Sequence, residues 1–400
     1  MPVVNYLHCN NSEPLSFCKG YILMKLNNNS TSQRKKRIVI SVTNDLVTDQ
    51  RVNRIATTLH NNGYEVLAVG NKFKDSCKIQ RPYKTKFFRL LFSRKMFFYA
   101  EYNIRLFFFL LFVRSDIFLS NDTDTLPANY LASRIRRKKL VFDAHEMFPE
   151  VPEVVGRRTV KKVWTRIENM FFPKLKNCYT VCQSIADVYN ERYGVNMQVI
   201  RNISVYKPAE NEVKRLYAPG KKILLYQGAV NVGRGIEWTI DAMPYLNNAI
   251  FCVAGDGDIL PQLQRYVADR QLNDKVVFLG RIPFEELHAY TVAADLGISL
   301  LEDKGLNYYY SLPNRIFDFM HAQVPIIATD FPEIRSVVAG SGTGVLTNDH
   351  EPEALAHAIQ AALTEWENKP DKSAIFDEAC KQYNWEAEEK KLLKIFETLK

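Results

Sequence analysis

Short apolar runs alternate with amphipathic segments along this chain, and the alternation begins anew near its middle. The runs at 37–43 (RIVISVT) and 65–70 (EVLAVG) flank residues 50–61, whose apolar side chains recur at helical spacing. A second series starts at 221–230 (KKILLYQGAV) and continues to 343–347 (TGVLT). Buried strands that alternate with helices form parallel sheets that are covered by helices on both faces. The sequence therefore predicts an α/β protein built from two doubly wound parallel sheets.

A linker between the two predicted sheets sets the domain boundaries. Residues 205–220 combine proline, glycine and charge without a periodic apolar pattern, which is typical of a connecting segment. We therefore predict an N-terminal Rossmann-like domain over residues 37–205 and a C-terminal Rossmann-like domain over residues 206–383. In doubly wound sheets, ligands lie beyond the carboxyl ends of the strands. The cleft across which the two domains face each other is accordingly the expected site.

The first residues differ in composition from the rest of the chain. Residues 1–36 contain the polar run LNNNSTSQ and no apolar stretch of the kind found in signal peptides, so we expect a disordered extension. Met24 is an alternative start of the chain. The seven cysteines are scattered and odd in number, which favours a reducing compartment and offers no metal-ligand spacing. We therefore expect a cytoplasmic protein without a metal site.

Charge is divided unequally between the two halves of the chain. Residues 1–200 hold 32 Lys and Arg against 16 Asp and Glu, whereas residues 201–400 hold 21 against 28. A basic first half indicates a polyanionic partner, and an anionic membrane and nucleic acid both fit that fact. The basic residues are mixed with clustered phenylalanines, and no nucleic-acid recognition motif accompanies them. We therefore expect a membrane surface as the partner and no nucleic acid.

Residues 81–113 carry the pattern that favours membrane contact. The part at 81–95 (RPYKTKFFRLLFSRK) has six basic and no acidic residues among bulky apolar ones, and 106–113 (LFFFLLFV) is strongly apolar. We predict a pair of interfacial helices, peripheral on the inner face of the cell membrane. Glu101 and Arg105 leave the apolar run too short and too charged to span a bilayer. Burial of 106–113 as a helix of the first domain is the alternative.

The stretch 308–335 (YYYSLPNRIFDFMHAQVPIIATDFPEIR) is suited to hold a sugar nucleotide. An aromatic, turn-forming segment that contains Tyr310 precedes Asn314 and Arg315, where a helix N-terminus is expected. The first turn of a helix presents unpaired N–H groups and a positive dipole end, and an arginine adds a planar fork of donors for phosphate oxygens. Asp318, one turn later, is placed to accept hydrogen bonds from ribose hydroxyls.

A glycine-rich turn, GAVNVGRG at 228–235, follows the first strand of the second series. Gly228 and Gly233 allow the backbone to approach a phosphate closely, and Arg234 supplies a cation next to them. Such a turn alone also occurs in purely structural contexts. Because a second helix start suited to anions follows in the same domain, a diphosphate site is the stronger interpretation.

The run VFDAHEMFPE at 141–150 is the principal candidate for chemistry in the first half. Asp143, His145 and Glu146 follow a buried strand, so we expect them at the cleft edge of the sheet. Two flanking carboxylates can orient a histidine and tune its pKa for a catalytic role. A purely structural histidine is the alternative. The Asp-Thr-Asp triplet at 122–124 is interpreted as loop or acceptor-cleft residues rather than as metal ligands.

These segments resemble the donor-binding region of GT-B glycosyltransferases, in particular the large retaining group known as family four. That group carries a pair of glutamates at a fixed spacing; the second corresponds here to Asp318 and the first to Tyr310. Arg234 stands where the group has a diphosphate-binding lysine, and Ala229 stands where it has an arginine. Arg315 is therefore the candidate to replace the missing cation.

The resemblance also assigns the remaining candidate residues. Gly255 and Gly257 match a Gly-x-Gly that lines the donor pocket, and Arg281 is placed to stack on the nucleobase or to hydrogen-bond with it. The Asp-x-His-Glu run at 143–146 matches a segment whose histidine faces the transferred sugar. The C-terminal helix, residues 384–400, is expected to cross back onto the N-terminal domain.

The function implied by the resemblance is transfer of a sugar from a UDP- or GDP-linked donor to a lipid-linked or glycan acceptor. The expected reaction retains the configuration at the sugar, needs no metal ion or other cofactor, and serves cell-surface polysaccharide or glycolipid synthesis. A catalytically degenerate GT-B scaffold, motivated by Ala229 and Tyr310, stays open as a second class. A sugar-nucleotide epimerase of the same fold is a third, although it would leave the basic aromatic stretch at 81–95 unexplained.

Overall fold

A computed structural model describes residues 34–72, 79–92, 95–206 and 220–399. Of the extension predicted over residues 1–36, residues 1–33 fall outside the described residues, and so does the central part of the predicted linker. Lys36–Lys400 form one compact unit, which contains both predicted domains.

Within the described residues, seven parallel strands form the first sheet. Their bounds are β1 Arg37–Asp45, β2 Glu65–Asn71, β3 Lys84–Phe88, β4 Ile117–Asn121, β5 Lys139–Ala144, β6 Cys178–Thr180 and β7 Met197–Val199. Their order across the sheet is β3-β2-β1-β4-β5-β6-β7, so the direction of winding reverses between β1 and β4. All residues of β4 are buried, as expected for a strand that helices cover on both faces.

A second parallel sheet of six strands follows in the described part of the C-terminal half. Their bounds are β8 Lys222–Gln227, β9 Ala249–Ala254, β10 Val276–Gly280, β11 Leu296–Ser299, β12 Ile326–Thr329 and β13 Gly344–Thr347. The order is β10-β9-β8-β11-β12-β13, with the same reversal next to the first strand of the half. The predicted pair of doubly wound parallel sheets is therefore confirmed.

Helices connect the strands and pack on the faces of the sheets. In the first half they are α1 Gln50–Asn61, α2 Lys95–Phe112, α3 Leu126–Arg136, α4 Pro152–Val155, α5 Arg158–Phe171 and α6 Gln183–Tyr193. In the second half they are α7 Ile236–Ala242, α8 Leu260–Asp269, α9 Phe284–Val292, α10 Leu306–Tyr309, α11 Asn314–His321, α12 Pro332–Ser341, α13 Pro352–Glu367, α14 Lys372–Gln382 and α15 Trp385–Glu397.

Successive side chains of β1 point to opposite faces of the first sheet, and they belong to two separate cores. Ile38 and Ile40 pack in a core with α1 and α15, whereas Val39 packs with α2 and α3 on the other face. A third core continues from the first half into the second, because it joins Phe142 of β5 to Ile334 of α12. The two halves are thus packed together through apolar side chains near the cleft.

Helix α15 lies on the first half of the chain. Trp385 Nε1 donates to Thr58 Oγ1 of α1 at 3.0 Å, and the ring of Phe396 meets that of Tyr64 edge-on at 6.1 Å. Lys36 Nζ donates to the carbonyl oxygen of Leu399 at 3.0 Å. The apolar positions of α15 recur at helical spacing because this face is buried against the N-terminal domain.

The predicted pair of interfacial helices over 81–113 is wrong in its first part. Residues Lys84–Phe88 form β3, the edge strand of the first sheet, which pairs with β2 from Leu67 to Asn71. Phe87 packs in the core beneath α1 and Phe88 in the core beneath α2, so neighbouring aromatic residues point to opposite faces of the sheet. That alternation is the period of a strand, which the basic and aromatic composition of the segment obscures.

The second part of that segment forms α2, which has one buried and one exposed apolar face. Its buried side chains recur every four residues: Phe98, Tyr102, Leu106 and Leu110. Its exposed apolar side chains are Met96, Phe97, Ile104, Phe108 and Phe112. Burial of the 106–113 run is therefore correct for one face only. In the described residues, every helix is too short or too polar to cross a bilayer.

Candidate active site

Asp143 and His145 belong to a buried cluster of charged side chains at the carboxyl end of β5. Arg51 of α1 donates to both oxygens of Asp143, from Nη2 at 2.7 Å and from Nε at 3.0 Å. His145 Nε2 lies 3.0 Å from Asp143 Oδ2, and His145 Nδ1 lies 3.2 Å from Asp122 Oδ2. The backbone N–H of His145 donates to Asp122 Oδ1 at 2.7 Å. Both ring nitrogens therefore face carboxylates, and the ring is held in one orientation.

Burial and ion pairing shift the pKa values of the side chains in this cluster in different directions. Burial raises the pKa of Asp143, but the charges of Arg51 and His145 outweigh burial and lower it to about 2. Burial lowers the pKa of His145, but the carboxylates of Asp122 and Asp143 raise it to about 9. The pKa of Asp122 rises to about 7, because burial outweighs the attraction of His145. The neighbouring carboxylates thus favour the protonated imidazolium, which supplies positive charge and is poorly suited to act as a base.

The raised pKa of His145 predicts a pH-dependent contribution to stability. Because the folded-state pKa of about 9 exceeds the ordinary 6.5, this contribution is full below about pH 6.5 and is lost as the pH rises through about 9. The difference in unfolding free energy between wild type and His145→Gln should fall by on the order of 3 kcal/mol across that window. Urea unfolding at several pH values measures it. His357→Gln, at an exposed histidine of α13, is the control. A difference that grows with pH would contradict the ion pairing.

The triplet at 122–124 is occupied by contacts within the first domain. Asp122 has φ 60°, and its N–H donates to the carbonyl oxygen of Asp143 at 2.8 Å. Thr43 Oγ1 donates to a carboxylate oxygen of Asp124, whose pKa burial raises to about 8. The interpretation of the triplet as loop residues at the cleft agrees with these contacts. In the part of the chain that the structure describes, no group of three or more His, Cys, Asp or Glu is arranged to hold a metal ion.

Glu146, the third predicted catalytic residue, lies at the surface beside the charged cluster. Its side chain is exposed, while its carbonyl oxygen accepts a hydrogen bond from Tyr189 Oη at 3.2 Å. The following residue, Met147, donates its N–H to Asn307 Oδ1 of α10 at 2.9 Å. The segment that carries His145 is therefore attached to the second half of the chain, at the cleft.

The glycine-rich turn between β8 and α7 depends on close backbone contacts. Gly233 has φ 79° and Gly235 has φ 66°, in the left-handed region that favours glycine. A Cβ on Gly255 would lie 1.8 Å from the carbonyl oxygen of Gly228, and a Cβ on Gly257 would lie 2.3 Å from that of Val230. The predicted glycines thus bring two loops at the carboxyl ends of β8 and β9 into direct contact, which leaves the backbone of the turn at the cleft.

Two arginines from different elements converge on this turn. Arg315, in the first turn of α11, is 7% exposed, and its guanidinium lies over the Tyr226 ring at 4.3 Å from the centroid. A Cβ on Gly228 would lie 3.9 Å from Arg315 Nη2. Arg234 lies over the ring of Tyr308 at 4.7 Å. Among the described residues, Arg315 Nη1 and Arg234 Nε have no hydrogen-bond partner. Buried donors without partners are costly, so these two point to an anionic ligand.

The environment of Arg315 supports the same conclusion. Burial is the main cause that lowers its pKa, and the charge of Arg234 lowers it further, although Tyr226 acts in the opposite direction. A buried guanidinium beside a second cation is unfavourable until an anion neutralises both. The pair is therefore suited to a diphosphate, which carries charge on two neighbouring phosphoryl groups.

Lys304 is a third cation at the turn, which the sequence analysis did not identify. A Cβ on Gly233 would lie 3.1 Å from both Cδ and Cε of Lys304, so the lysine stem lies over the turn. Lys304 Nζ is 3.1 Å from Glu302 Oε1, and the N–H of Glu302 donates to the carbonyl oxygen of Gly233 at 3.0 Å. The loop between β11 and α10 therefore places one cation and one carboxylate beside the turn.

Asp318 is half-buried and already hydrogen-bonded. Ser204 Oγ donates to Asp318 Oδ1 at 2.7 Å, and Gln227 Nε2 donates to Asp318 Oδ2 at 3.1 Å. The same three residues line a small cavity together with Thr291 and apolar side chains of α9. A ribose would share or replace these hydrogen bonds, so binding of ribose by Asp318 stays a prediction.

The other predicted donor-site residues lie around this cleft. Arg281 is exposed directly after β10, and Asn314 is exposed at the start of α11. Tyr310 is half-buried, packs edge-on against Tyr309, and accepts a hydrogen bond from Cys182 Sγ at its carbonyl oxygen. The backbone at Tyr310 thus contacts the first half of the chain, and its side chain lies in the apolar core that the two halves share.

Some contacts at the site could not be predicted from the sequence, because the two partners lie far apart along the chain. Arg51 is 92 residues from Asp143, and Met147 is 160 residues from Asn307. Arg51 lies in the first turn of α1, and nothing in the neighbouring sequence indicates that its partner is Asp143. Asp49 does cap α1, since its side chain accepts a hydrogen bond from the Val52 N–H.

Two family descriptions match this chain over separate regions. Glycosyltransferase Family 4 matches residues 49–203, and Glycosyl transferases group 1 matches residues 221–365. The alpha-monoglucosyldiacylglycerol synthase of Streptococcus pneumoniae is 29% identical over 151 residues, 36% of this chain and 32% of that protein. The alignments with the first three curated relatives span 37%, 42% and 51% of those relatives' own lengths.

Solved structures share the two-sheet architecture over most of the chain. Sucrose-phosphate synthase from Thermosynechococcus elongatus superposes with a TM-score of 0.75 at 16% identity, over 91% of this chain and 99% of that chain. HepE of Anabaena in complex with UDP-glucose superposes with a TM-score of 0.68 at 14% identity, over 90% and 99%. At these identities the likeness shows the fold, and the two family matches fall on its two halves. The chain therefore belongs to the GT-B glycosyltransferases of the family 4 type.

Proposed function

We propose that this chain transfers a hexosyl group from a nucleoside diphosphate sugar, with UDP or GDP as the nucleotide, to a lipid-linked or glycan acceptor. The observation that carries the proposal is the convergence of buried Arg315 and half-buried Arg234 on the glycine-rich turn, each with a guanidinium nitrogen that lacks a partner among the described residues. The structural neighbour that holds UDP-glucose supports a nucleotide-sugar donor. The reaction would retain the configuration at the sugar and would contribute to cell-surface polysaccharide or glycolipid synthesis.

In this proposal, the second half of the chain stabilises the leaving group. Cleavage of the bond between the sugar and the diphosphate places negative charge on the departing phosphoryl oxygens and positive charge on the sugar ring. Arg234, Lys304 and Arg315 lie at the turn where that negative charge would develop, and Arg315 belongs to the first turn of α11, whose unpaired N–H groups would add a positive dipole end. Positioned cations of this kind can stabilise the diphosphate without a metal ion.

The cluster around His145 would complete the site from the first half. Because both ring nitrogens face carboxylates, His145 would bind the sugar through its ring edge or backbone and would not transfer a proton. Asp143 would hold the imidazolium in place, and exposed Glu146 would face the acceptor. Tyr310 stands in place of the glutamate that the family uses for sugar hydroxyls, so Glu302 or Asp303 of the neighbouring loop would take that role.

Product analysis distinguishes this proposal from its two alternatives. We expect UDP- or GDP-sugars to release nucleoside diphosphate and to label a membrane lipid extract when the chain is present. An epimerase would instead convert the free nucleotide sugar without acceptor. A degenerate scaffold would bind nothing in a thermal-shift panel of UDP-, GDP- and ADP-sugars, and that outcome would contradict the proposed function.

The membrane part of the proposal rests on the exposed face of α2. Phe112 at the end of α2 is 83% exposed, Phe97 and Phe108 are 62% and 57% exposed, and Leu91, which precedes the helix, is 83% exposed. Large apolar side chains that water contacts this extensively mark an interaction surface. Arg89 and Arg105 are exposed beside them, which suits an anionic lipid headgroup region. A position on the inner face of the cell membrane, in contact through residues 81–113, would bring a lipid acceptor to the cleft.

The exposed apolar residues of α2 can be replaced without changing the packing of the hydrophobic core. We expect Phe97→Ser with Phe108→Ser to weaken binding to vesicles of phosphatidylcholine and phosphatidylglycerol at least about tenfold, because both rings leave the membrane. Co-sedimentation with vesicles measures this. Tyr245→Ser, at a comparably exposed aromatic residue of the second half, is the control. Equal co-sedimentation of the double variant and the wild type would show that α2 does not contact lipid.

A further inference from the structure

One face of α5 carries a row of cations that the proposed chemistry does not use. Six side chains line an open groove of about 410 Å³ on this helix: Arg158, Lys161, Lys162, Thr165, Arg166 and Asn169. Their spacing of three and four residues places them on one face. Four of the six are basic and none is acidic, so the groove is suited to a ligand that carries several negative charges.

The groove is not needed to hold α5 in the fold. The helix is fixed by its buried face, which consists of Trp164, Glu168 and Phe171. Lys162 and Arg166 are exposed on the other side. Exposed side chains of the same charge repel one another slightly, so the row weakens rather than stabilises the isolated helix. Such a row is better explained by a ligand than by folding.

Helix α5 packs against α2 and against the segment that follows His145 through its buried face. The ring of Trp164 meets Tyr99 of α2 at 5.1 Å and Phe148 at 4.9 Å. Phe148 belongs to the short helical turn after the His145 segment, and Glu150 of the same turn accepts a hydrogen bond from Lys161 Nζ at 2.8 Å. The groove therefore begins beside the segment that lines the cleft.

The same turn contacts the donor side of the cleft. A Cβ on Gly305 would lie 3.4 Å from the carbonyl oxygen of Glu150. Gly305 follows Lys304, which lies over the glycine-rich turn. A ligand whose anionic group lies in the α5 groove would thus have one end at the cleft. A lipid-linked acceptor has this arrangement, since its phosphate groups lie between the sugar and the lipid chain.

We propose that the α5 groove binds the phosphate groups of a lipid-linked acceptor whose sugar end lies in the cleft. The proposal rests on the proposed function, because it names the class of acceptor for that reaction. No covalent step occurs in the groove. Lys162, Arg166 and Arg158 would neutralise the phosphate charges and position the acceptor group toward the donor sugar.

Farnesyl diphosphate, a short isoprenoid diphosphate, tests this site on the full chain, with farnesol as the uncharged comparison. We expect calorimetry to detect binding of the diphosphate and no binding of the alcohol. The double variant Lys162→Gln, Arg166→Gln should bind the diphosphate at least about tenfold more weakly, because two charge-assisted contacts are lost. Arg134→Gln with Lys139→Gln, two exposed cations at the end of α3 and the amino end of β5, is the matched control and should bind like the wild type.

Two further measurements separate this site from the donor site. Arg315→Met should leave farnesyl diphosphate binding unchanged, whereas loss of binding in that variant would place the ligand in the donor site and overturn the proposal. Equal affinity of the wild type and the groove variant would overturn it as well, as would preferential binding of RNA to the groove. Binding of UDP or GDP should be unchanged in the groove variant. If the wild-type chain binds the isoprenoid diphosphate but no nucleotide, the proposed function is contradicted, whereas the proposed binding of phosphate groups in the α5 groove is supported.

Discussion

Replacing Arg315 by methionine is expected to abolish detectable binding of a nucleoside diphosphate and to stabilise the protein at the same time. Arg315 is 7% exposed, its Nη1 has no partner among the described residues, and burial lowers its pKa. Removal of a buried, uncompensated charge should raise the unfolding free energy by about 1–3 kcal/mol. Loss of two charge-assisted hydrogen bonds should weaken diphosphate binding about 100-fold or more. Thermal shift with and without nucleotide measures both effects.

Two other substitutions sharpen the result for Arg315. Arg315→Lys keeps a positive charge but loses the planar fork, so its affinity should lie between that of the wild type and that of Arg315→Met. Arg335→Met, at an exposed arginine of α12 that pairs with Asp330, is the matched control and should change neither property. If Arg315→Met binds nucleotide like the wild type, or unfolds at lower temperature, Arg315 is structural and the assigned diphosphate site is wrong.

Asp143→Asn is expected to be the most destabilising single change in the first half. Asp143 is fully buried and pairs with Arg51 at 2.7 Å and with His145 at 3.0 Å. Neutralising it leaves two buried cations with Asp122 as the remaining nearby carboxylate, which should cost about 3–5 kcal/mol of unfolding free energy. Because the pKa of Asp143 is lowered to about 2, its contribution is present above about pH 3.8 and is lost as the pH falls through about 2. Urea unfolding near neutral pH measures the loss.

A double variant tests whether the loss comes from the unpaired charge. Arg51→Met combined with Asp143→Leu removes both partners and should recover a large part of the stability lost in Asp143→Asn. Glu378→Gln, which breaks the exposed pair with Lys381, is the control and should leave the unfolding transition where it is. A double variant as unstable as the single one would show that the cluster acts through hydrogen bonds rather than through charge pairing.

The fold could be predicted because its strands are short, wholly apolar runs between amphipathic helices. Residues such as 249–254 and 326–329 are buried along their whole length, so their pattern can be recognised without knowledge of their neighbours. The segment Lys84–Phe88 was assigned wrongly because an edge strand is only half-buried, and its lysines resemble those of an interfacial helix. The pairing with β2 that makes it a strand is a long-range contact.

The candidate site was predictable where chemistry depends on a local motif. The glycine-rich turn and the start of α11 were identified in the sequence, and the structure brings Arg234 and Arg315 together at that turn. Lys304 was not identified, because its position over Gly233 depends on the path of the loop after β11. Likewise, the two carboxylates that fix His145 come from β5 and from the loop after β4, and only Asp143 is close to it in sequence.

Calorimetric titration of UDP, GDP and their sugar conjugates into the wild-type chain tests the central claim most directly. The predicted result is saturable binding of one nucleoside diphosphate, with much weaker binding of the corresponding monophosphate, because in our proposal the arginines at the glycine-rich turn would contact the terminal phosphoryl group. Failure of every nucleotide and sugar nucleotide to bind the folded wild-type chain would contradict the claim.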